Sequence, residues 1–132
     1  MELWTHHGER AFTKLGHVGA VADLAFDSAG ALLVSASAND CTARVWRAAT
    51  GDCVFHVSVG QGGVFGVALR GTLLALSTRD GVGFAEVKEG GAAAAMARAV
   101  AADRPRKVRF AGPDRVVFGQ SVDDCPLCEL AL

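Results

Sequence analysis

The sequence lacks a long apolar run, a secretory signal and an excess of charge of one sign. None of its apolar stretches approaches the roughly 20 residues that cross a bilayer, so we expect no membrane partner. The N-terminal stretch has neither the basic nor the apolar region of a signal peptide, and we expect a cytoplasmic protein. The formal net charge of −1 is unlike that of dedicated nucleic-acid binders, so direct nucleic-acid binding is not expected.

Cysteine is scarce, and its spacing does not complete a metal site. Cys125 and Cys128 have the C-x₂-C spacing of half a zinc site, but structural zinc needs four ligands, usually in two pairs. The other two cysteines, Cys41 and Cys53, are twelve residues apart and form no second pair. Without a secretory signal, four cysteines are poor evidence for disulfides. We therefore expect no metal and no cofactor.

An internal repeat organises the chain. Asp40, Asp80 and Asp124 each follow a short apolar strand, and their separations are 40 and 44 residues. Trp4 and Trp46 are 42 residues apart. A period in the low forties with four short strands per period is typical of β-propeller blades. The sequence therefore predicts an all-β protein built from about three blades.

The repeat divides the single domain 1–132 into four parts. We predict the end of one blade at 1–15, a blade at 16–59, a blade at 60–103 and a partial blade at 104–132. Closed propellers typically have 4–8 blades, so we expect a fragment of a longer propeller, a ring completed by oligomerisation, or a diverged remnant. Within 92–102, the sequence favours the outer strand of a blade or a short helix equally. The basic cluster "RPRK" is predicted to be a solvated loop.

The segment that begins at Gly16 resembles a WD40 repeat. Gly16 and His17 supply the "GH", "AVADLAF" the first strand, "ALLVSAS" the second and "TARVW" the third. Asp40 lies in the turn between the second and third strands, and Arg47 stands where that family usually has the Asp that follows Trp. The resemblance implies a WD40-type β-propeller.

The same resemblance implies a structural hydrogen-bond network. In such blades the His, a serine of the second strand, the turn Asp and the Trp of the third strand are linked. Here these residues are His17, Ser35 or Ser37, Asp40 and Trp46. The stretch "SAND" holds one residue more than the family pattern between Ser37 and Asp40, so the choice of serine stays open.

A Ser, a His and an Asp also invite comparison with a hydrolase triad. The sequence has no G-x-S-x-G elbow and no glycine-rich oxyanion loop beside either serine. We therefore expect no catalytic residues and no enzyme. A metal-binding or hydrolytic protein that uses the cysteine pair or the Ser/His/Asp set remains the alternative from another class.

A narrower resemblance rests on two motifs, Trp4 followed by Gly8-Glu9-Arg10, and "GHVGAV" at 16–21. Together with "LLALSTRDGVG" and "RVVFGQSVDD", they resemble the family of eukaryotic translation initiation factor 3 subunit I. This resemblance implies a non-enzymatic scaffold whose partners are other initiation factor subunits and the small ribosomal subunit, and which supports mRNA recruitment. The motifs also occur in other WD proteins, so an adaptor in another complex, such as kinase-receptor signalling, is the alternative. No partner-contact residues are assigned.

Overall fold

The computed structural model describes residues 2–4, 8, 10–13, 16–88, 91–93, 98–101, 105–112, 115–120 and 128–131. Every regular element in these ranges is a β-strand, which confirms the predicted all-β class. No helix in them could span a membrane. The strands are β1 Glu2–Trp4, β2 Arg10–Thr13, β3 Val21–Phe26, β4 Leu32–Ser37, β5 Thr42–Arg47, β6 Cys53–Ser58, β7 Val64–Arg70, β8 Leu73–Thr78, β9 Gly81–Glu86, β10 Gly91–Ala93, β11 Arg98–Ala101, β12 Pro105–Gly112, β13 Arg115–Gln120 and β14 Cys128–Ala131.

Three sheets are built around antiparallel strands that follow one another in the chain, as in propeller blades. The first contains β3 to β6 with β10 at its edge, the second β7, β8, β9 and β11, and the third β12, β13 and β14. Strands β1 and β2 form a separate two-stranded sheet. Within the described ranges these sheets do not close into a ring. The blade boundaries proposed above remain a prediction.

The segment 92–102, for which strand and helix were predicted equally, contains strands where the structure describes it. Arg98–Ala101 pairs antiparallel with β9, so it forms the outer strand of the second sheet. Gly91–Ala93 pairs parallel with β6, at the outer edge of the first sheet. The alanine-rich composition favours a helix, but pairing with two sheet edges outweighs this local preference.

The part of the basic cluster that the structure describes, 105–107, was predicted wrongly as a solvated loop. Pro105–Gly112 is β12, the first strand of the third sheet. Pro105 begins the strand, a position that tolerates the missing backbone donor. The error arose because clustered polar residues resemble a loop when the partner of their charge lies far away in the sequence.

The first strand of each of the three sheets contains an irregularity in its pairing. The register shifts between Val21 and Asp23 in β3 and between Val64 and Gly66 in β7. The two shifts begin 43 residues apart, from 21 to 64. Strand β12 also contains a register shift against β13. A bulge turns the following side chain relative to the sheet, and in β3 this residue is the buried Asp23.

The first and second sheets pack face to face around a shared apolar core. Side chains alternate along a strand, so in β8 Leu74 and Leu76 point towards the first sheet while Ala75 points towards the third. Burying each leucine stabilises the fold by roughly 2 kcal/mol. This core consists of Val34, Ala36, Ala43, Val45, Val54, Phe55 and Val57 from the first sheet and Val64, Val67, Leu69, Leu74, Leu76, Ala85 and Val87 from the second sheet and its end.

The opposite face of the second sheet packs against the third sheet. Its buried side chains are Ala68, Ala75, Val82 and Phe84, and those of the third sheet are Val108, Val116 and Phe118. The second sheet is therefore covered on both faces. Strand β7 contacts both β3 and β12, so the first strands of the three sheets lie side by side.

The turn between β4 and β5 contains a strained residue. Cys41 has a φ of 59°, in the left-handed region, although it is not glycine. A side chain at such a φ costs about 1 kcal/mol or more. Hydrogen bonds on both sides hold the turn in this conformation, from the Thr42 amide to the Asp40 carboxylate and from the Val59 amide to the Cys41 carbonyl oxygen.

We predict that Cys41→Gly raises the free energy of unfolding by up to about 1 kcal/mol, because the relief of strain at this φ exceeds the entropic cost of glycine in the unfolded chain. Urea unfolding of the purified variants measures the change. Cys53→Gly is the matched control, because Cys53 lies exposed in extended strand β6. We expect that variant to lose about 0.5–1 kcal/mol. An equal loss in both variants would contradict strain at Cys41.

Candidate functional site

A chain of side-chain hydrogen bonds crosses one face of the first sheet. The indole N–H of Trp46 donates to Ser35 Oγ at 2.8 Å, and Ser35 Oγ lies 2.7 Å from His17 Nε2. On the other side of the ring, His17 Nδ1 lies 2.9 Å from Asp40 Oδ2. The structure thus joins four of the five residues singled out from the sequence into one network.

Asp40 accepts hydrogen bonds on both carboxylate oxygens. Oδ1 accepts from the Thr42 hydroxyl at 2.6 Å and from the Thr42 amide at 3.0 Å. Oδ2 accepts from the Val18 amide at 3.0 Å, in addition to His17. The Asp40 side chain is 12% exposed and that of His17 only 3%, so these bonds replace most contact with water. A buried carboxylate is stable only with such partners.

One arrangement of protons satisfies the whole chain. Since the indole of Trp46 can only donate, Ser35 Oγ accepts from it and has its own proton free for His17 Nε2. His17 Nδ1 then carries the ring proton and donates to Asp40, which can only accept when ionised. This tautomer follows from the network, in which every donor has an acceptor.

The structure distinguishes the two candidate serines. Ser35 lies between Trp46 and His17, whereas Ser37 Oγ accepts a long bond of 3.5 Å from the Asp40 amide. Both serines are fully buried and lie on the same face of β4, two residues apart. The extra residue in "SAND" is accommodated by the four-residue turn 38–41, which separates the two paired strands. The sequence motif alone could not separate the two serines.

Two further residues complete the site, and the sequence reasoning did not assign them a role in it. Thr42 provides the shortest hydrogen bond to Asp40, and its position two residues after the turn Asp was the available signal. Gly16 lies against the Trp46 ring, where an added Cβ would clash with the indole. The glycine before His17 is therefore required for the ring to approach the backbone.

The surroundings of Asp40 change its acidity. Burial alone would raise the pKa of the carboxyl, but hydrogen bonds from the Thr42 hydroxyl, from His17 and from the Val18 amide outweigh burial. Together they hold the pKa of Asp40 below its usual value. The carboxylate is therefore ionised at neutral pH and acts as a permanent acceptor.

The geometry favours a structural role over a nucleophilic one. Ser35 is fully buried, and its oxygen lies between the indole and the imidazole, so no substrate carbonyl could approach it. Catalytic serines are exposed at the end of a turn beside an oxyanion site. Among the described residues, no group of three or more His, Cys, Asp or Glu side chains could hold a metal ion. Cys125 lies outside the described residues, and Cys128 is described only as part of β14.

A second polar network links the first strands of the three sheets. Asp23 of β3 accepts from Lys107 Nζ at 3.0 Å and from Arg109 at 3.3 Å, both on β12, and from the amide of Val67 on β7 at 3.1 Å. The Asp23 side chain is 7% exposed, whereas the Lys107 and Arg109 side chains are 56% and 54% exposed. Sequence reasoning missed this network because the partners on β12 are more than 80 residues away in the chain.

Asp23 is also more acidic than an ordinary aspartate. Burial would raise the pKa of its carboxyl, but the hydrogen bonds from Lys107, the Val67 amide and Arg109, with the positive charge of Arg109, outweigh that effect. The net result holds the pKa of Asp23 below its usual value.

Part of the chain is similar in sequence to a known protein. No family model matches the chain. A 52-residue stretch is 48% identical to eukaryotic translation initiation factor 3 subunit I of Mycosarcoma maydis. This stretch covers 39% of the present chain and 15% of that protein's length. The chain is therefore similar in part to that subunit, as the narrower resemblance in the motifs indicated.

We predict that Asp40→Ala lowers the free energy of unfolding by about 1–3 kcal/mol, because it leaves His17 Nδ1 and Thr42 without their acceptor. Urea unfolding provides the measurement. Asp52→Ala removes an exposed carboxylate from another turn of the same sheet and should change stability by less than about 0.5 kcal/mol. Equal effects of the two substitutions would contradict the role assigned to Asp40.

We predict that Asp23 makes the protein sensitive to acid. Its pKa is lower in the folded chain than in the unfolded chain, so its stabilisation is present above pH about 4 and is lost as the pH falls through the folded value. Asp23→Asn should therefore be less stable at pH 7 and show a shallower loss of stability on acidification below about pH 5.

Lys107→Met provides the complementary variant. It removes a hydrogen bond that lowers the pKa of Asp23, so the folded value moves closer to the unfolded one. The acid-dependent loss of stability should then be smaller in total and complete at a higher pH than in the wild type. Chemical unfolding at a series of pH values measures both variants. A wild-type pH profile in Asp23→Asn would contradict the prediction.

Proposed function

We propose that the chain is a non-enzymatic WD-repeat scaffold that binds other protein subunits within the translation initiation factor 3 assembly. In this role it supports recruitment of mRNA to the small ribosomal subunit in the cytoplasm. The observation that carries the proposal is the 48% identity over 52 residues to subunit I of that factor. The matched stretch covers 15% of that relative's length, so the chain would carry out this role with a part of the relative's structure.

The geometry of the first sheet supports a scaffold. The reactive groups of His17, Ser35 and Asp40 are hydrogen-bonded to one another and largely buried. Their arrangement fixes the turn 38–41 and the segment before β3 against the sheet. Such a network stiffens a blade without offering a site for chemistry, so binding has to involve the outer surfaces.

The packing of the sheets supports the same conclusion. The second sheet is buried on both faces, by the first sheet and by the third. Strand ends and turns remain accessible, as with the exposed turn residues 28–31 and 79–80. A packed stack of sheets with exposed turns offers other proteins more than one contact surface.

Affinity capture tests the proposed function. The tagged chain is added to a eukaryotic lysate, washed at moderate salt and analysed by mass spectrometry, with the tag alone as the control. We expect several initiation factor 3 subunits to be recovered together. Binding to those subunits after purification then shows whether the contact is direct.

Other outcomes would contradict the assignment to this factor. Recovery of a kinase-receptor signalling complex without initiation factor subunits would favour the alternative adaptor role. Recovery of chaperones alone would indicate that the chain does not present a functional surface by itself, and would count against the proposed binding role.

A further inference from the structure

A groove lies where the ends of β3, β7 and β12 meet, and its volume is about 490 Å³. It is formed by the first strands of the three sheets, so it is separate from the hydrogen-bond network around Asp40. The side chains that matter for its chemistry are Leu24 and Phe26 of β3, Arg70 of β7, and Arg109 and Phe110 of β12.

The wall of the groove formed by β3 is unusually apolar for an accessible surface. Leu24 is 45% exposed and Phe26 is 50% exposed, although both are large hydrophobic side chains. Neighbouring apolar side chains that remain in contact with water favour an interaction site over an isolated surface residue. This wall would gain stability from a partner that supplies its own apolar side chain.

The charged side chains that line the groove are both cationic. They are Arg70 and Arg109, and no carboxylate belongs to the described lining. Asp23 lies beside Arg109, but it is shared with Lys107, so this cluster keeps a net positive charge. The charge of the groove is therefore complementary to an acidic partner.

The guanidinium of Arg109 is held in place by hydrogen bonds, and that of Arg70 lies over an aromatic ring of the groove. Arg109 donates to the carbonyl oxygens of Val108 at 2.7 Å and Val67 at 3.1 Å, in addition to Asp23. The Arg70 guanidinium lies 6.0 Å from the centre of the Phe110 ring, within the range of a cation–π contact. Cations that are already ordered lose less conformational entropy when a partner binds.

We propose that this groove binds a peptide segment of a partner protein in which acidic residues alternate with large apolar ones. The carboxylates would face Arg70 and Arg109, and the apolar side chains would cover Leu24 and Phe26. This inference deepens the proposed scaffold function and rests on it, because it names the chemistry of the partner segment. Two cations beside an apolar wall suit a peptide better than a nucleic acid, whose binding depends on many phosphate contacts.

Fluorescence anisotropy with the full chain tests the proposal. The probe is the fluorescein-labelled peptide Gly-Ser-Asp-Phe-Asp-Leu-Ser-Gly. One comparison peptide has lysine in place of each aspartate, and the other has serine in place of phenylalanine and leucine. We expect the first peptide to bind and both comparison peptides to bind at least about tenfold more weakly.

Two pairs of variants locate the binding. Arg70→Glu and Leu24→Ser should each weaken binding of the acidic peptide by about tenfold or more. Arg79→Glu is the control for charge reversal, because Arg79 lies in the exposed turn at the opposite end of the second sheet. Val18→Ser is the control for the loss of an apolar side chain, because Val18 is 95% exposed outside the groove lining. Circular dichroism and thermal unfolding verify that each variant is folded.

The outcomes separate this inference from the proposed function. Absence of peptide binding, equal binding of the lysine peptide, or equal effects of Arg70→Glu and Arg79→Glu would overturn the groove assignment. Tighter binding of a single-stranded oligouridine than of the acidic peptide would also overturn it. If the peptide does not bind but initiation factor subunits are captured, only the proposed peptide site in the groove is rejected. If the peptide binds but no such subunits are captured, the proposed role in the initiation factor 3 assembly is rejected.

Discussion

The arrangement of the three sheets depends on the hydrogen bonds and ion pairs of the Asp23 carboxylate. It is almost fully buried, and its partners come from β7 and β12 rather than from its own strand. A carboxylate removed from water is stable only when such partners are in place. If the first strands of the sheets separated, this carboxylate would lose its partners. The apolar cores on either side oppose the same separation.

The two polar networks have different ranges within the chain. The network around Asp40 joins residues 16 to 46 and stabilises one sheet internally. The network around Asp23 spans 86 residues and holds different sheets together. In both, hydrogen bonds to the carboxylate outweigh the effect of burial and keep the pKa low. The fold thus uses an ionised aspartate both within a sheet and between sheets.

The sequence separation between interacting residues decides which features could be predicted from the sequence. The all-β class could be predicted from the repeat. The proximity of His17, Asp40 and Trp46 was implied only by the resemblance to a WD40 repeat, in which these positions are linked. The choice of Ser35 over Ser37 could not be predicted, because both are buried on one face of β4. The start of strand β12 at Pro105, within the basic cluster, could not be predicted, because the polarity of its basic residues is compensated by a carboxylate far away in the chain.

The parallel pairing of β10 with β6 has a consequence for synthesis of the chain. Strand β6 is the outer antiparallel strand of the first sheet, and its free edge is covered by Gly91–Ala93. During translation this edge stays open until most of the second sheet has been made and the chain has returned to it. An uncovered edge is a template for pairing with other chains, so vectorial folding passes through an interval in which the nascent first sheet is prone to association.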